Sequence, residues 1–279
     1  MGTIYVIGAG FSRTCDIATD NEMLDVLNAL LKKDETKSGR VLTWIEAIRE
    51  QNFAERPIVG FEEFMSTISA LKFMPEFLGH KPNLFAEAER EIRQALKHYL
   101  RQEVKKVDWH TKGKSIIEFV KRANWKQDLA ISFNYDLLLE SAMDRVGIEA
   151  KDRILLLHGS VAERTLAYPT YKKLAYRNAR STLAKRWGAA FKQLRKLSHS
   201  DRLVFIGYSM PPSDFEAKGL FNYTDWYNRD SAHHYRYPII VVNKDPDIKS
   251  NYSFMRRAPE VCIGTFSRWV DSGAVGPMP

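Results

Sequence analysis

The residues of this 279-residue chain whose types and spacing best suit chemistry fall into a few short clusters. They are Gly8-Ala9-Gly10 with Phe11 and Ser12, Asn134-Tyr135-Asp136, His158-Gly159-Ser160, Gly207-Tyr208-Ser209 and Asn243. A Gly-Ala-Gly turn can bring backbone N–H groups up to a phosphate, because glycine has no Cβ to hold the ligand off. It serves equally as a tight strand-to-helix turn with no ligand. Ser12 can bond a phosphate or ribose oxygen. Asparagine can hold a water or a sugar hydroxyl, and aspartate can accept from an amide NH₂. The same two residues also make an Asx turn that caps a helix. His158 can act as a general base or orient a hydroxyl, although a lone histidine is more often structural. Gly207-Tyr208-Ser209, with Asp214 beyond Pro211-Pro212, can hold a ligand's other end or form a turn and cap. Asn243 has the same two readings. Glu62-Glu63 reads as a helix start. His233-His234 are adjacent, a poor spacing for shared metal ligation, so no metal is expected.

Each cluster follows an apolar run short enough to be a strand. Ile4–Ile7 precedes the glycine turn, Leu129–Phe133 precedes Asn134, and Ile154–Leu157 precedes His158. Leu203–Ile206 precedes Gly207, and Ile239–Val242 precedes Asn243. Between these runs, apolar residues recur at helical spacing over 21–32, over 137–146, and along Leu183, Trp187, Ala190, Phe191 and Leu194. Alternating strands and helices predict an α/β, Rossmann-like fold with a mostly parallel sheet covered on both faces. In such sheets ligands sit beyond the carboxyl ends of the strands, where all five clusters fall.

Residues 36–125 read as a large helical insertion. Helices are expected near Phe61, from a cap at Asn83 along Ala88, Ile92, Leu96, Leu100 and Val104, and over 114–123. The expected organisation is one domain over 1–270, its core split into 1–35 and 126–270, with 271–279 a loose tail.

The net charge of +8 is local: ten Lys or Arg and no acid lie between Arg164 and Ser200, so the remainder nets −2. The basic segment 164–196 could face nucleic acid or an acidic partner, or be a solvated helix face. No run approaches the ~18 apolar residues of a membrane span, and the first residues read as a strand and not a signal peptide. Two distant cysteines point to a reducing cytoplasm.

As a redox fingerprint the first motif fails twice. Arg13 stands where a third glycine belongs, and no strand ends in an acid about 20 residues on. The ordered set GAGFS, FEEFMS, SFNYDLLLE, LLLHGS, FIGYSMPPSDF and VVNKD instead resembles the Sir2-like family, in its bacterial NAD-hydrolysing antiphage-defence branch. The resemblance spans Ile4 to Asn243.

The resemblance implies NAD⁺ as substrate, with Asn134 and His158 as the catalytic pair. Gly8, Ala9, Gly10, Phe11 and Ser12 would line the diphosphate and ribose, and Asp136 would meet the nicotinamide carboxamide. Gly207, Tyr208, Ser209 and Asn243 would hold the adenosine half. Two cysteines cannot build the zinc module of sirtuin deacylases. Asp16-Ile17-Ala18 replaces the family's usual Gly-(Ile/Leu)-Pro turn. The leading expectation is an NAD⁺ glycohydrolase restrained until it assembles or meets a partner such as an ATPase or sensor. A non-catalytic NAD- or ADP-ribose-binding subunit of a nucleic-acid or ATPase complex is the alternative, and a protein ADP-ribosyltransferase the weaker one.

Overall fold

The computed structural model describes residues 2–32, 60–71, 84–163, 166, 181–211, 214–230, 237–255 and 258–275. The expected cap at Asn83, the cations of 164–180, His233-His234, and 276–279 lie outside the described residues.

The chain opens with β1 (Thr3–Ile7), α1 (Ala9–Ser12), a 3-10 turn (Arg13–Cys15) and α2 (Asp20–Lys32). Then come α3 (Phe61–Leu71), α4 (Leu84–Lys106) and α5 (Lys114–Arg122). The sheet resumes through β2 (Leu129–Ser132), α6 (Leu138–Arg145), β3 (Ile154–Leu156), α7 (Thr182–Leu194) and β4 (Arg202–Ile206). It finishes with α8 (Phe215–Asp230), β5 (Ile239–Asn243), α9 (Ile248–Asn251), β6 (Glu260–Ile263) and α10 (Phe266–Asp271). The expected α/β, Rossmann-like architecture is therefore present.

All six strands are parallel, in the order β3-β2-β1-β4-β5-β6. Winding runs one way from β1 through β2 to β3, then crosses back to β4 beside β1. The two strands diverge in connection there, which leaves a crevice beyond their carboxyl ends. Strand β1 lies at the centre, Ile4 pairing with Leu129 on one side and Leu203 on the other. Its side chains alternate between two cores, since successive strand residues point to opposite faces. Tyr5 and Ile7 join a cluster built with α2, α3, α4, α5 and α10. Ile4 and Val6 join one built with α7, α8 and α9.

Among the described residues of 36–125 there is helix and no strand. The α4 stripe Ala88, Ile92, Leu96 and Leu100 is buried, as its i, i+4 spacing requires. Asp20 at the start of α2 accepts from the Glu62 N–H at 2.8 Å, which ties α2 to the start of α3. Local chemistry fixes other helix starts. Ser181 Oγ accepts from Ala184 N–H at 3.1 Å before α7, and Thr265 Oγ1 from Arg268 N–H at 3.3 Å before α10.

The carboxyl end departs from expectation. A sixth strand, β6, pairs with β5, and α10 packs Phe266, Trp269 and Val270 into the core. The expected loose tail from Asp271 is wrong at its beginning: Asp271 closes α10 and Val275 is buried. Ala274 O accepts from the Arg202 guanidinium at 3.3 Å. Among the described residues, no helix is long and apolar enough to cross a membrane.

Gly188 sits inside α7, and a Cβ there would meet nothing within 4 Å. Gly188→Ala removes only the backbone freedom glycine loses on folding, so it is expected to stabilise the chain by about 0.5–1 kcal/mol. A raised urea midpoint is the readout, and a lowered one contradicts the open surroundings.

Candidate functional site

The crevice beyond β1 and β4 is a cavity of about 520 Å³, a size that suits a small-molecule ligand. Every expected site residue but one lines it. Gly8, Ala9, Gly10 and Ser12 arrive after β1, Asn134 and Asp136 after β2, and His158 after β3. Gly207, Tyr208 and Ser209 arrive after β4, and Asn243 ends β5. The exception is Phe11, which is a correction to the expected site. Its ring is buried in the core, 4.9 Å from Phe266 and 6.1 Å from Phe119. The backbone of α1 turns that side chain under the sheet edge and leaves Ser12 facing the cavity.

The glycines have a reason that lies within the protein. Gly8 N–H donates to Ile206 O at 3.0 Å and Gly10 N–H to Gly207 O at 2.8 Å. A Cβ on Gly8 would stand 2.5 Å from Tyr208 Cα, and one on Gly10 2.7 Å from Gly207 Cα. The turns after β1 and β4 therefore touch backbone to backbone, which spends the Gly8 and Gly10 amides on closing the crevice floor. Arg13, the residue in the third-glycine slot, points outward and pairs with Glu22 at 2.7 Å. After it, Asp16 takes a left-handed conformation (φ 59°) and pairs with Lys112. Ala18 N–H donates to Tyr99 Oη of α4 at 3.3 Å, so the insertion pins this loop against the cavity.

Asn134, Ser12 and Asp136 form one hydrogen-bonded chain, all three buried. Asn134 Nδ2 donates to Gly8 O at 3.1 Å and to Ser12 Oγ at 2.8 Å. The backbone carbonyl can only accept, so the amide's orientation is fixed and its two hydrogens are used. Asn134 Oδ1 is left as the group able to accept from a ligand. Ser12 Oγ in turn donates to Asp136 Oδ2 at 2.7 Å. Asp136 Oδ1 accepts from Leu138 N–H at 2.9 Å and so begins α6. Burial pushes the Asp136 carboxyl above its usual range, opposed by these two bonds. Cys15, nearby, is pushed up to about 12, first by burial and then by Asp136, which keeps it a thiol.

His158 is 1 % exposed, and among the described residues neither ring nitrogen has a hydrogen-bond partner. Its ring lies 5.1 Å from Phe133 and 5.9 Å from Tyr135. Nε2 is 3.4 Å from Asp214 Oδ2, a carboxylate that accepts from Tyr208 Oη–H at 2.7 Å. Tyr208 stacks on Phe133 at 4.4 Å, so its ring is wall structure as well as cavity lining. Burial and the Asp214 charge hold its hydroxyl well above the usual range.

Two helices hold the His158 segment from outside. Trp187 Nε1–H of α7 donates to Leu157 O at 3.0 Å, and Arg186 pairs with Glu163. From α4, Arg101 donates to Val161 O at 2.6 Å, Arg93 to Leu166 O at 3.1 Å, and Lys97 to Glu163 O. These three cations lie four residues apart and so share one face of α4. The basic segment thus divides: Arg186 faces inward, whereas Lys185, Lys192, Arg195 and Lys196 are exposed.

The insertion supplies a wall that the motifs did not announce. Phe61, Glu62, Glu63 and Ser66 from α3 line the cavity, with Leu96 and Leu100 from α4. Glu62 and Glu63 do begin α3, as their sequence suggested, and they also face the cavity. With Asp20 and Asp136 they make its charged lining carboxylate; among the described residues no Lys or Arg lines it. Asn243 Oδ1 accepts from Asp245 N–H at 3.1 Å, a turn role that accompanies its place at the cavity. Asn251 also lines the cavity, and its Nδ2–H donates to Ser209 O at 2.9 Å.

Glu140, in the first turn of α6, has its Oε1 shut from solvent and without a partner among the described residues. Burial, with some push from Asp136 and Glu163, raises its carboxyl from the ordinary 4.5 to about 8. Between those values the folded chain holds a proton that the unfolded chain has released, so stability falls as pH rises through the window. Glu140→Gln removes this loss. Its urea midpoint relative to wild type is expected to climb from about pH 5 to about pH 9. A constant difference would mean that Glu140 is ionised in the fold throughout.

No protein-family model matches the chain, and no curated protein matches it.

Proposed function

We propose that this chain is a Sir2-like NAD⁺ glycohydrolase, which cleaves NAD⁺ to nicotinamide and ADP-ribose. What carries this reading is the meeting of two groups in one crevice: the oriented Asn134 amide and the buried His158 imidazole, whose ring nitrogens make no hydrogen bond among the described residues. Breaking the bond from ribose C1′ to nicotinamide develops cationic character on the sugar. Groups already fixed before the reaction stabilise that charge most effectively, since they need not reorganise. Asn134 Oδ1 presents the negative end of a held dipole. The carboxylate lining suits a ligand whose reactive ring is a pyridinium cation. His158 would orient a ribose hydroxyl, and Asn243 and Ser209 would receive the adenosine half. The glycine turn gives the diphosphate a surface free of side chains to lie against.

In a bacterial cytoplasm such an activity depletes NAD, which suits antiphage defence, and restraint by assembly or a partner protein follows from that setting. The exposed cations of α7 favour a polyanionic partner such as nucleic acid. The test is incubation with NAD⁺, with and without nucleic acid, followed by separation of products. Equal nicotinamide and ADP-ribose are expected. Binding heat without nicotinamide would replace hydrolysis by the binding-subunit reading, and label from NAD⁺ on protein would indicate ADP-ribosyl transfer.

A further inference from the structure

We propose that Ser12 and Asp136 form a proton relay that takes up the proton of the water attacking ribose C1′. This rests on the NAD⁺-cleaving reading and goes beyond it, because the resemblance gives Asp136 a different task, a direct contact with the nicotinamide carboxamide.

The hydrogen-bond inventory leads there. Ser12 Oγ has one hydrogen and two lone pairs. The hydrogen goes to Asp136 Oδ2 at 2.7 Å, and one lone pair accepts from Asn134 Nδ2 at 2.8 Å. The second lone pair belongs to an atom of a cavity-lining residue. Asn134 Oδ1, with both amide hydrogens engaged, is an acceptor on the neighbouring residue of that chain. One water can therefore donate to both, which leaves its own lone pair for C1′. Asp136 is buried and holds its place through Leu138 N–H. Its upward-shifted carboxyl makes it a stronger base than an exposed aspartate.

The C1′–N bond breaks with its electron pair going to the ring nitrogen, and nicotinamide leaves neutral. The water oxygen bonds to C1′. A water proton passes to Ser12 Oγ as the Ser12 hydroxyl proton passes to Asp136 Oδ2, and the resulting carboxylic acid later returns it to solvent by the reverse route. Ser12 touches the reacting water; Asp136 acts through Ser12 and is a positioning and proton-holding residue.

Hydrolysis releases a proton, but recapture of C1′ by nicotinamide does not, since a pyridine nitrogen attacks with no hydrogen to lose. Exchange of labelled nicotinamide into NAD⁺ therefore needs the cavity without the relay. In Asp136→Asn the ratio of exchange to hydrolysis is expected to rise by about tenfold or more, with hydrolysis down about 100-fold. Ser12→Ala should move the ratio the same way, and thermal melting identifies whichever variant keeps its fold. If Asp136 instead grips the carboxamide, exchange and hydrolysis fall together in folded Asp136→Asn, which overturns the relay alone. A wild-type chain that performs neither reaction overturns NAD⁺ cleavage and the relay with it.

Discussion

Asn134→Ala is expected to lower nicotinamide release by about 100-fold to 1000-fold at saturating NAD⁺. His158→Ala should lower it by about 100-fold or more. The asparagine does two jobs with one amide. Its Nδ2 hydrogens bind Gly8 O and Ser12 Oγ, and this fixes the direction of Oδ1. Alanine removes the acceptor and also takes one donor from the Gly8 carbonyl, which keeps the Phe11 N–H, so the stability cost is about 0.5–1.5 kcal/mol. A folded protein with almost no turnover is the expected outcome, so melting must be followed alongside the rate. Asn134→Asp separates the two jobs. It keeps an oxygen at the Oδ1 position but has no hydrogens for Gly8 O and Ser12, and its charge would face Asp136. It should be as inactive as alanine. For His158 the stability cost is that of a cavity among Phe133, Tyr135 and Trp187, whose rings surround it. Full turnover by folded Asn134→Ala and His158→Ala would sink the assignment.

The parts of the site that could be read in the sequence are those for which chain order and the strand-end rule suffice. A strand inside a parallel sheet is buried on both faces, so Val6, Ile131, Val204 and Val241 sit in apolar runs, and the half-buried edge strand β3 keeps such a run around Leu155. The residue that follows each run must then lie at the ligand edge. Strand β6 escaped because it is an edge strand with Glu260 and Ile263 exposed, and it offers neither an apolar run nor clean alternation. Phe11 was misplaced by adjacency: a neighbour of the glycine turn is carried by α1 into the core. Ser12 and Asp136 are 124 residues apart, and nothing in either local pattern announces a bond between them.

The insertion was legible as helix and illegible as wall. Leu96 and Leu100 belong to one buried stripe with Ala88 and Ile92, and i, i+4 spacing cannot say which members end against core and which against a cavity. The cations on α4 show the same limit. Arg93, Lys97 and Arg101 look like an ordinary solvated row, yet they donate to the carbonyls of Leu166, Glu163 and Val161. Helix α4 of the insertion and α7 of the Rossmann-like core thus both bond to one short segment, the one that follows His158. A change in how α4 or α7 sits would be felt first there, which gives the proposed restraint by a partner a physical place to act.

Gly207→Ala is expected to cost more than about 3 kcal/mol, the range reached when a special backbone position is filled. Gly207 has φ +58°, where any other L-residue is strained by about 1–2 kcal/mol. Its Cβ would stand 2.4 Å from Phe11 N, 2.5 Å from Gly10 C and 2.6 Å from Gly10 Cα. All three are backbone atoms, so no side chain can swing aside. Relief requires the β1 turn to part from the β4 turn, which breaks the Gly10 N–H to Gly207 O bond and exposes Tyr208 to the gap. Gly147→Ala provides the control. Gly147 has φ +74° with nothing within 4 Å of its Cβ, so alanine there meets the backbone strain alone. The difference between the two variants in urea midpoint isolates the contact between the loops, and equal costs would mean that the turns can separate freely. Activity should fall further than stability in Gly207→Ala. The displaced turn carries Gly8 O and Ser12, the two acceptors that aim Asn134, so whatever fraction remains folded has a misdirected amide.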